Sequence, residues 1–448
     1  MPNVPAQIFI SEGLEKRIDG IKSDTGSKTL IPYRDWETLR KNQTIYNLPV
    51  DYCLYRLDNG RIKTKILTYE KKEGKLEPGD PETQKIIKEY LEKSDPKQNE
   101  VLEKRLKKDG QREAAVITAD GFLINGNRRK RALEQLYKDT GDEKFKYINV
   151  VILPGSNSAE RPTITDIALL ETRYQVQITG KSEYSGMDTA LTMRSNVESG
   201  ILLKSLLADD PNYSDPDEKI FEKKIEKFKE DYFKPLELMD EYLRNNNIEG
   251  DYERVEDRWL SFQELSQKVI SKLKDDKFLN RNKIERNDAG LIQAAAFNLI
   301  KLREGKELTG RRTELIRKIF VWLKDSKKDF LKIGKIEDSN TSISDPDDRD
   351  DAWQEKEGKE IINIVKKIKH ISEQKEEQAG PIKRLEDALW NLQHDDLNID
   401  TINRSPIPNL DIAFKLTVEI ENANNGLKSA FYNQKKNIKK FEEEHKKK

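Results

Sequence analysis

Two short apolar runs, Ala115 to Thr118 and Phe122 to Ile124, flank Ala119-Asp120-Gly121, and this spacing predicts a β-hairpin closed by an Asp-Gly turn. Directly after it, Ala132, Leu133, Leu136 and Tyr137 recur on one helical face. A helix is therefore expected over Arg129 to Tyr137, with Asn125-Gly126-Asn127 as its start. Val50 to Arg56 and Ile62 to Tyr69, on either side of the turn Asp58-Asn59-Gly60, read as two more strands, and Ile148 to Leu153 as another. Between them Lys71 to Asp80 is a Gly-, Pro- and Lys-rich excursion, and Pro96 opens a helical stretch through Val101 to Lys108.

Past Thr163 the period turns helical and stays so. Helices are expected over Ile164 to Tyr174, Gly186 to Glu198, Asp217 to Lys229, Pro235 to Arg244, Phe262 to Leu273, Ala289 to Lys301, Thr313 to Lys324, Glu360 to His370, Pro381 to Leu392 and Pro408 to Glu443. Ser261-Phe262-Gln263-Glu264 has the form of a capping box, and Gly290 to Ile300 is the most apolar helix of this half. The pattern predicts an α+β chain. A small mixed α/β domain over residues 46–200 follows an arm over 1–45 with one short helix around Tyr33 to Lys41. An all-helical region follows, divided into 201–336, an acidic linker 337–360, and 361–448.

Composition narrows the function classes. With 448 residues, 37% of them charged and 35% hydrophobic, the chain is long enough for two or three domains and carries long polar helices. One cysteine, Cys53, excludes an intrachain disulfide. The three histidines, His370, His394 and His445, all lie far from it in the C-terminal part, which argues against a zinc cluster and for a cytoplasmic location. No apolar run reaches the ~18 residues of a membrane span, and MPNVPAQIFISEG is not built like a signal peptide, so no membrane partner is expected.

The formal net charge is zero, yet charge is uneven. Lys268 to Lys335 carries 19 Lys and Arg against 9 Asp and Glu, and Glu337 to Glu360 carries 10 acidic against 3 basic residues. Either the basic segment follows a nucleic-acid backbone or the two segments neutralise each other. Tyr232, Trp259, Trp322 and Trp353 are expected in the core rather than stacked on bases. Gly180-Lys181-Ser182 ends like a phosphate-binding loop, but its first glycine is missing and no strand leads into it.

The stretch with chemical content is the hairpin-to-helix junction. Gly126 can take a positive φ, the helix start offers backbone N–H groups and the positive end of its dipole, and Arg128, Arg129 and Arg131 follow at once. That combination suits a polyphosphate.

The order strand, Asp-Gly turn, strand, Gly-x-Arg-Arg-x-x-Ala, helix resembles the ParB/sulfiredoxin superfamily, whose ParB members carry Gly-Glu-Arg-Arg-x-x-Ala here. In this chain the box is Gly126-Asn127-Arg128-Arg129-Lys130-Arg131-Ala132. The helix before Gly110-Gln111 is similar to the helix, glycine and glutamine that precede the ParB hairpin, and Ala168 to Gln175 is loosely similar to the family's Glu-Asn-x-Gln-Arg box. The resemblance covers about residues 45 to 200. It implies a nucleotide-binding domain in which Gly126, Asn127, Arg128, Arg129 and Arg131 hold the phosphates of a nucleoside triphosphate, CTP or ATP. It also implies that Glu171 holds Mg2+ and serves as the catalytic carboxylate. Asn127 stands in place of the family's glutamate and Thr172 in place of its asparagine, leaving nucleotide identity and hydrolysis open. Asn127 also stands where sulfiredoxins carry their cysteine, which argues against reductase chemistry.

The resulting expectation is a ParB-like nucleoside-triphosphate-binding protein that acts on DNA, with a possible protein partner through its helical half. No convincing helix-turn-helix follows the α/β domain, so operator-type binding is not expected. A nuclease or phosphotransferase on the same fold, and a non-catalytic interaction protein, are the alternatives.

Overall fold

The computed structural model describes residues 12–32, 42–176, 185–208, 210–304, 310–392 and 407–445. The expected helix around Tyr33 to Lys41 and the Gly180-Lys181-Ser182 turn lie outside them. The chain divides into two units, Met1–Lys369 and His370–Lys448.

The first unit opens with helix α1 (Glu12–Ile21) and strands β1 (Ser23–Thr29) and β2 (Gln43–Pro49). It continues through α2 (Lys63–Glu73), α3 (Pro81–Ser94) and α4 (Pro96–Asp109), then the hairpin β3 (Ala115–Ile117) and β4 (Leu123–Asn125). Helix α5 (Asn127–Thr140), strand β5 (Tyr147–Ile152) and helix α6 (Ile164–Val176) complete the α/β part. The sheet runs β1-β2-β5-β3-β4, antiparallel except for the parallel β3/β5 pair.

Side chains alternate across this sheet as a pleated strand requires. Leu48, Ala115, Ile117, Leu123, Ile148 and Val150 face one core with Ile87 and Leu91 of α3, Leu106 of α4 and Leu133 and Leu136 of α5. Val116, Ile124, Val151 and Leu153 face the other with Ile167 and Leu170 of α6. The hairpin and the strand before α6 thus match their expected positions, and the α+β class holds.

Four expectations change. The residues read as a strand over Ile62 to Tyr69 form α2, because Asp188 accepts from the Thr64 N–H (3.1 Å) and the Thr64 hydroxyl (2.6 Å) and so caps the helix from a distant part of the chain. Val50 to Arg56 is a short 3-10 turn (Val50–Tyr52) and a single bridge, Leu54 to Phe122. The N-terminal arm is part of the fold, since β1 pairs with β2 and Ile18 lies in the core. Helix α3 fills part of the gap before Pro96. Asp80 accepts from the Thr83 N–H with Pro81 at the first turn, as Asp95 accepts from the Gln98 N–H with Pro96 in α4.

The helical part holds α7 (Gly186–Glu198), α8 (Leu203–Leu207), α9 (Glu218–Phe228) and α10 (Lys234–Asn245). After these come α11 (Trp259–Glu264), α12 (Ser271–Leu273), α13 (Asp276–Asn282), α14 (Ala289–Lys301), α15 (Arg312–Ile333, bent at Ser326) and α16 (Pro346–Trp353). Ser261 is buried inside α11 and does not cap it. Trp259, Trp322 and Trp353 lie in the core, and Tyr232 stacks on Phe228 at 4.6 Å. The acidic stretch is packed rather than linking. It carries α16, buries Trp353 to 1% exposure, and ties back through Asp338.

Helix α17 (Lys359–Leu392) continues through Pro381, joining two helices expected to be separate; its first ten residues pack Ile361, Val365 and Ile368 into the helical core. The second unit contains α18 (Ile407–His445). No helix among the described residues is long and apolar enough to cross a membrane.

Candidate functional site

The hairpin turn is built by Thr118. Its hydroxyl donates to the fully buried Asp120 carboxylate and accepts from the Phe122 N–H at 3.0 Å. Gly121 closes the turn at φ +97, and a Cβ there would lie 2.6 Å from the Tyr52 carbonyl oxygen. Gly126, at φ +106, turns the chain from β4 into α5, and a Cβ would come within 2.6 Å of the Ala115 Cβ. Only glycine meets both demands.

Helix α5 therefore begins abruptly. Its first turn has no side-chain cap, and its first ladder bond is Lys130 N–H to Gly126 O at 2.9 Å. The amides of Asn127, Arg128 and Arg129 precede that ladder and carry the positive end of the dipole. They open into a cleft of about 480 Å³ floored by Ile124 to Arg129, walled by α4 and the Gly110 to Glu113 loop, and closed by Asn59, Arg61, Glu171 and Tyr174. That volume is in the range of small-molecule sites.

Arg128 and Arg131 each have a buried guanidinium nitrogen with no hydrogen-bond partner among the described residues, and of the two it is Arg128 that lines the cleft. Its Nε donates to Asn99 Oδ1 at 2.9 Å, while Nη2 is buried and meets no hydrogen-bond partner among the described residues. Burial, then the neighbouring Arg61 charge, lowers its pKa below the ordinary guanidinium value. An anion against Nη2 would relieve both effects. Asn99 is itself fixed, donating to the carbonyls of Leu91 and Glu92 at 3.1 Å each, so it ends α3 and aims Arg128 at once. Asn127 Oδ1 is a second buried atom without a partner among the described residues, and it is an acceptor. The two atoms leave one donor and one acceptor without a partner beside the start of α5.

The other expected residues divide. Arg129 lines the cleft and donates to the Glu113 carbonyl at 2.7 Å, with the Glu113 carboxylate 3.8 Å away. Arg131 does not line it. Buried at 5% exposure, it pairs with Glu103 of α4 at 2.6 Å, so the expectation of a third phosphate-binding arginine is corrected. The reason is position along the helix: Arg131 shares with Arg128 the side of α5 that packs against α4, but it lies one turn further from the helix start, against Glu103.

Glu171 does reach the cleft from α6, 3.7 Å from Arg56 and held by the Gly60 backbone N–H. Burial raises its pKa, opposed by Arg56. The adjacent Thr172 turns away into the core, donating to the Ala168 carbonyl at 2.9 Å. No group of three or more metal-ligating side chains occurs among the described residues. Each of the three cleft carboxylates sits beside an arginine: Asp109 2.8 Å from Arg112, Glu113 3.8 Å from Arg129 and Glu171 3.7 Å from Arg56, so a magnesium ion would have to compete with a guanidinium at any of them. Such an ion would draw its remaining oxygens from phosphates and water, as magnesium commonly does.

Sequence reasoning missed Asn99, Arg61, Arg105 and Tyr174. The first three come from a turn and a helix well upstream of the box, and Tyr174 lies one turn beyond Glu171. The Asp95-Pro96 start of α4 was the available signal, because it fixes the phase that turns Asn99 inward. The basic segment is partly neutralised by the acidic one: Lys301 meets Asp338 at 3.1 Å, and Arg303 meets Asp350 and Asp351 at 2.5 and 2.6 Å. No protein-family model, curated protein or solved structure matches the chain.

Proposed function

We propose that the cleft at the start of α5 binds a polyphosphate group, carried by a nucleoside triphosphate such as CTP or ATP, in the manner the ParB resemblance implies. The observation that carries this is Arg128: a buried guanidinium, aimed by Asn99, with Nη2 unpartnered beside an uncapped helix start. In this reading the amides of Asn127 to Arg129 and the Arg128 fork take the phosphates. Arg129 adds charge, and Asn127 Oδ1 accepts from the nucleoside part. Glu171 would help hold magnesium, which would supply positive charge against the phosphates, and Glu171 is then the residue through which turnover is tested.

Action on DNA is a separate part of the proposal. It rests on the lysines of the Lys268 to Lys335 segment that the acidic stretch does not engage, and it predicts affinity that falls with salt and depends little on sequence.

Amide hydrogen exchange tests the site directly. Adding CTP or ATP with magnesium should slow exchange at Asn127, Arg128 and Arg129. Unchanged exchange there, with ligand bound elsewhere, would refute the assignment.

A further inference from the structure

Helix α18 spans 39 residues, and every side chain described from Phe414 to Lys440 is exposed. Ile412, Leu416, Ile420, Leu427, Phe431 and Ile438 are between 43% and 59% exposed, large apolar groups left in water. At 100° per residue these six, with Ala423, fall within an arc of about 100°, and every Asp, Glu and Lys from Asp411 to Lys440 falls outside it. Gln434 interrupts the arc, and the exposed Phe414, Val418 and Tyr432 lie outside it, but six large apolar groups on one charge-free side of a long exposed helix are the signature of a helix that pairs.

Charge selects the partner and its direction. Residues 407–425 carry three carboxylates and one lysine, whereas residues 426–445 carry five lysines, all before Phe441, and three glutamates, all at the extreme end. Two copies side by side in parallel would set lysines against lysines. Antiparallel, the acidic stretch of one copy lies along the lysines of the other, with Asp411 level with Lys439 and Glu421 beside Lys428. The small residues fall where such a pair would cross. Gly426 is the midpoint of the helix, between Ala423 and Ala430, and nothing lies within 4 Å of the place a Cβ would occupy. Small side chains at the crossing let two helices approach closely.

We infer that α18 is a self-association element that joins two copies of this chain through an antiparallel helix pair whose dyad lies at Asn425, beside Gly426. The full-length chain should sediment at twice the 52.1 kDa of one chain. Leu427→Asp and Ile420→Asp should each weaken the dimer at least tenfold without changing the first unit's thermal unfolding, since both replace exposed residues. Direction is read by cysteine pairs. In an antiparallel pair with its dyad at Asn425, position 416 faces 434 and both lie on the stripe, so a mixture of Leu416→Cys and Gln434→Cys chains forms a mixed disulfide while neither links to itself. Cys53 is buried and does not compete. A wild-type chain that stays monomeric at its solubility limit, or a dimer untouched by Leu427→Asp, overturns the inference. Self-linking by Leu416→Cys alone overturns the antiparallel order.

Discussion

Replacing Arg128 with Met separates a ligand-binding arginine from a structural one. In the free protein the change removes one hydrogen bond, from Nε to Asn99 Oδ1, and leaves that buried acceptor without its donor, at about 1–3 kcal/mol. It also removes a guanidinium whose Nη2 is buried without a partner among the described residues, and keeps most of the side-chain volume. The two effects oppose each other, so stability should move by about 1 kcal/mol in either direction, a few degrees at most. Binding has no such offset. Losing a charged hydrogen bond to phosphate costs about 1.5–3 kcal/mol, or about 10- to 150-fold in Kd. Isothermal titration with nucleotide, alongside thermal unfolding of the same preparations, measures both. A variant destabilised by the roughly 3–5 kcal/mol typical of a broken buried ion pair, with affinity unchanged, would show that Arg128 holds the fold together and that the reasoning is wrong.

Three further outcomes follow from the packing. Gly126→Ala should cost about 2–5 kcal/mol, from the positive φ and the approach to Ala115, and adding Ala115→Gly should recover only the steric part; full recovery in chemical denaturation would mean the backbone conformation is not strained. Asp188 carries a pKa raised by burial, so its contribution to stability is greatest at low pH and is lost as pH rises through the folded-state value; Asp188→Asn should flatten stability against pH from about 4 upward, and an unchanged slope would remove Asp188 as the cause. Trp353→Ala should cost about 3–5 kcal/mol, whereas a tryptophan in a solvated linker would cost less than about 0.5.

The junction from Ala115 to Leu136 was legible because its parts are local. A two-strand period, an Asp-Gly turn and a helical period follow each other within about two dozen residues, and local geometry decides each. Helix α2 was not, because it is buried on two sides: Ile66 packs into the α/β core and Leu67 against the helical core. Burial on both sides smears the helical period, and Ile62, Thr64, Ile66 and Thr68 then read as the alternation of a strand. Strand β1, SDTGSKT, is almost wholly exposed and carries no apolar signal; it exists through pairing with β2. The acidic stretch was misjudged for a related reason. Its Asp residues look solvated in isolation, but Asp338, Asp350 and Asp351 meet cations supplied by residues 301, 303 and 349. In the candidate site, the box told where an anion would sit, while Asn99 and Arg61 depend on how α4 and the 58–61 turn pack beside it.

The claim that the start of α5 is a polyphosphate site meets its most direct test in a thermal-shift series on the full chain with tripolyphosphate, CTP and ATP, each with and without magnesium. Stabilisation of about 2.7 kcal/mol is expected at a hundredfold excess over Kd, largely lost in Arg128→Met, and stronger with nucleotide than with tripolyphosphate if Asn127 Oδ1 takes a nucleoside donor. No shift with any of the three, or an equal shift in Arg128→Met, would contradict it.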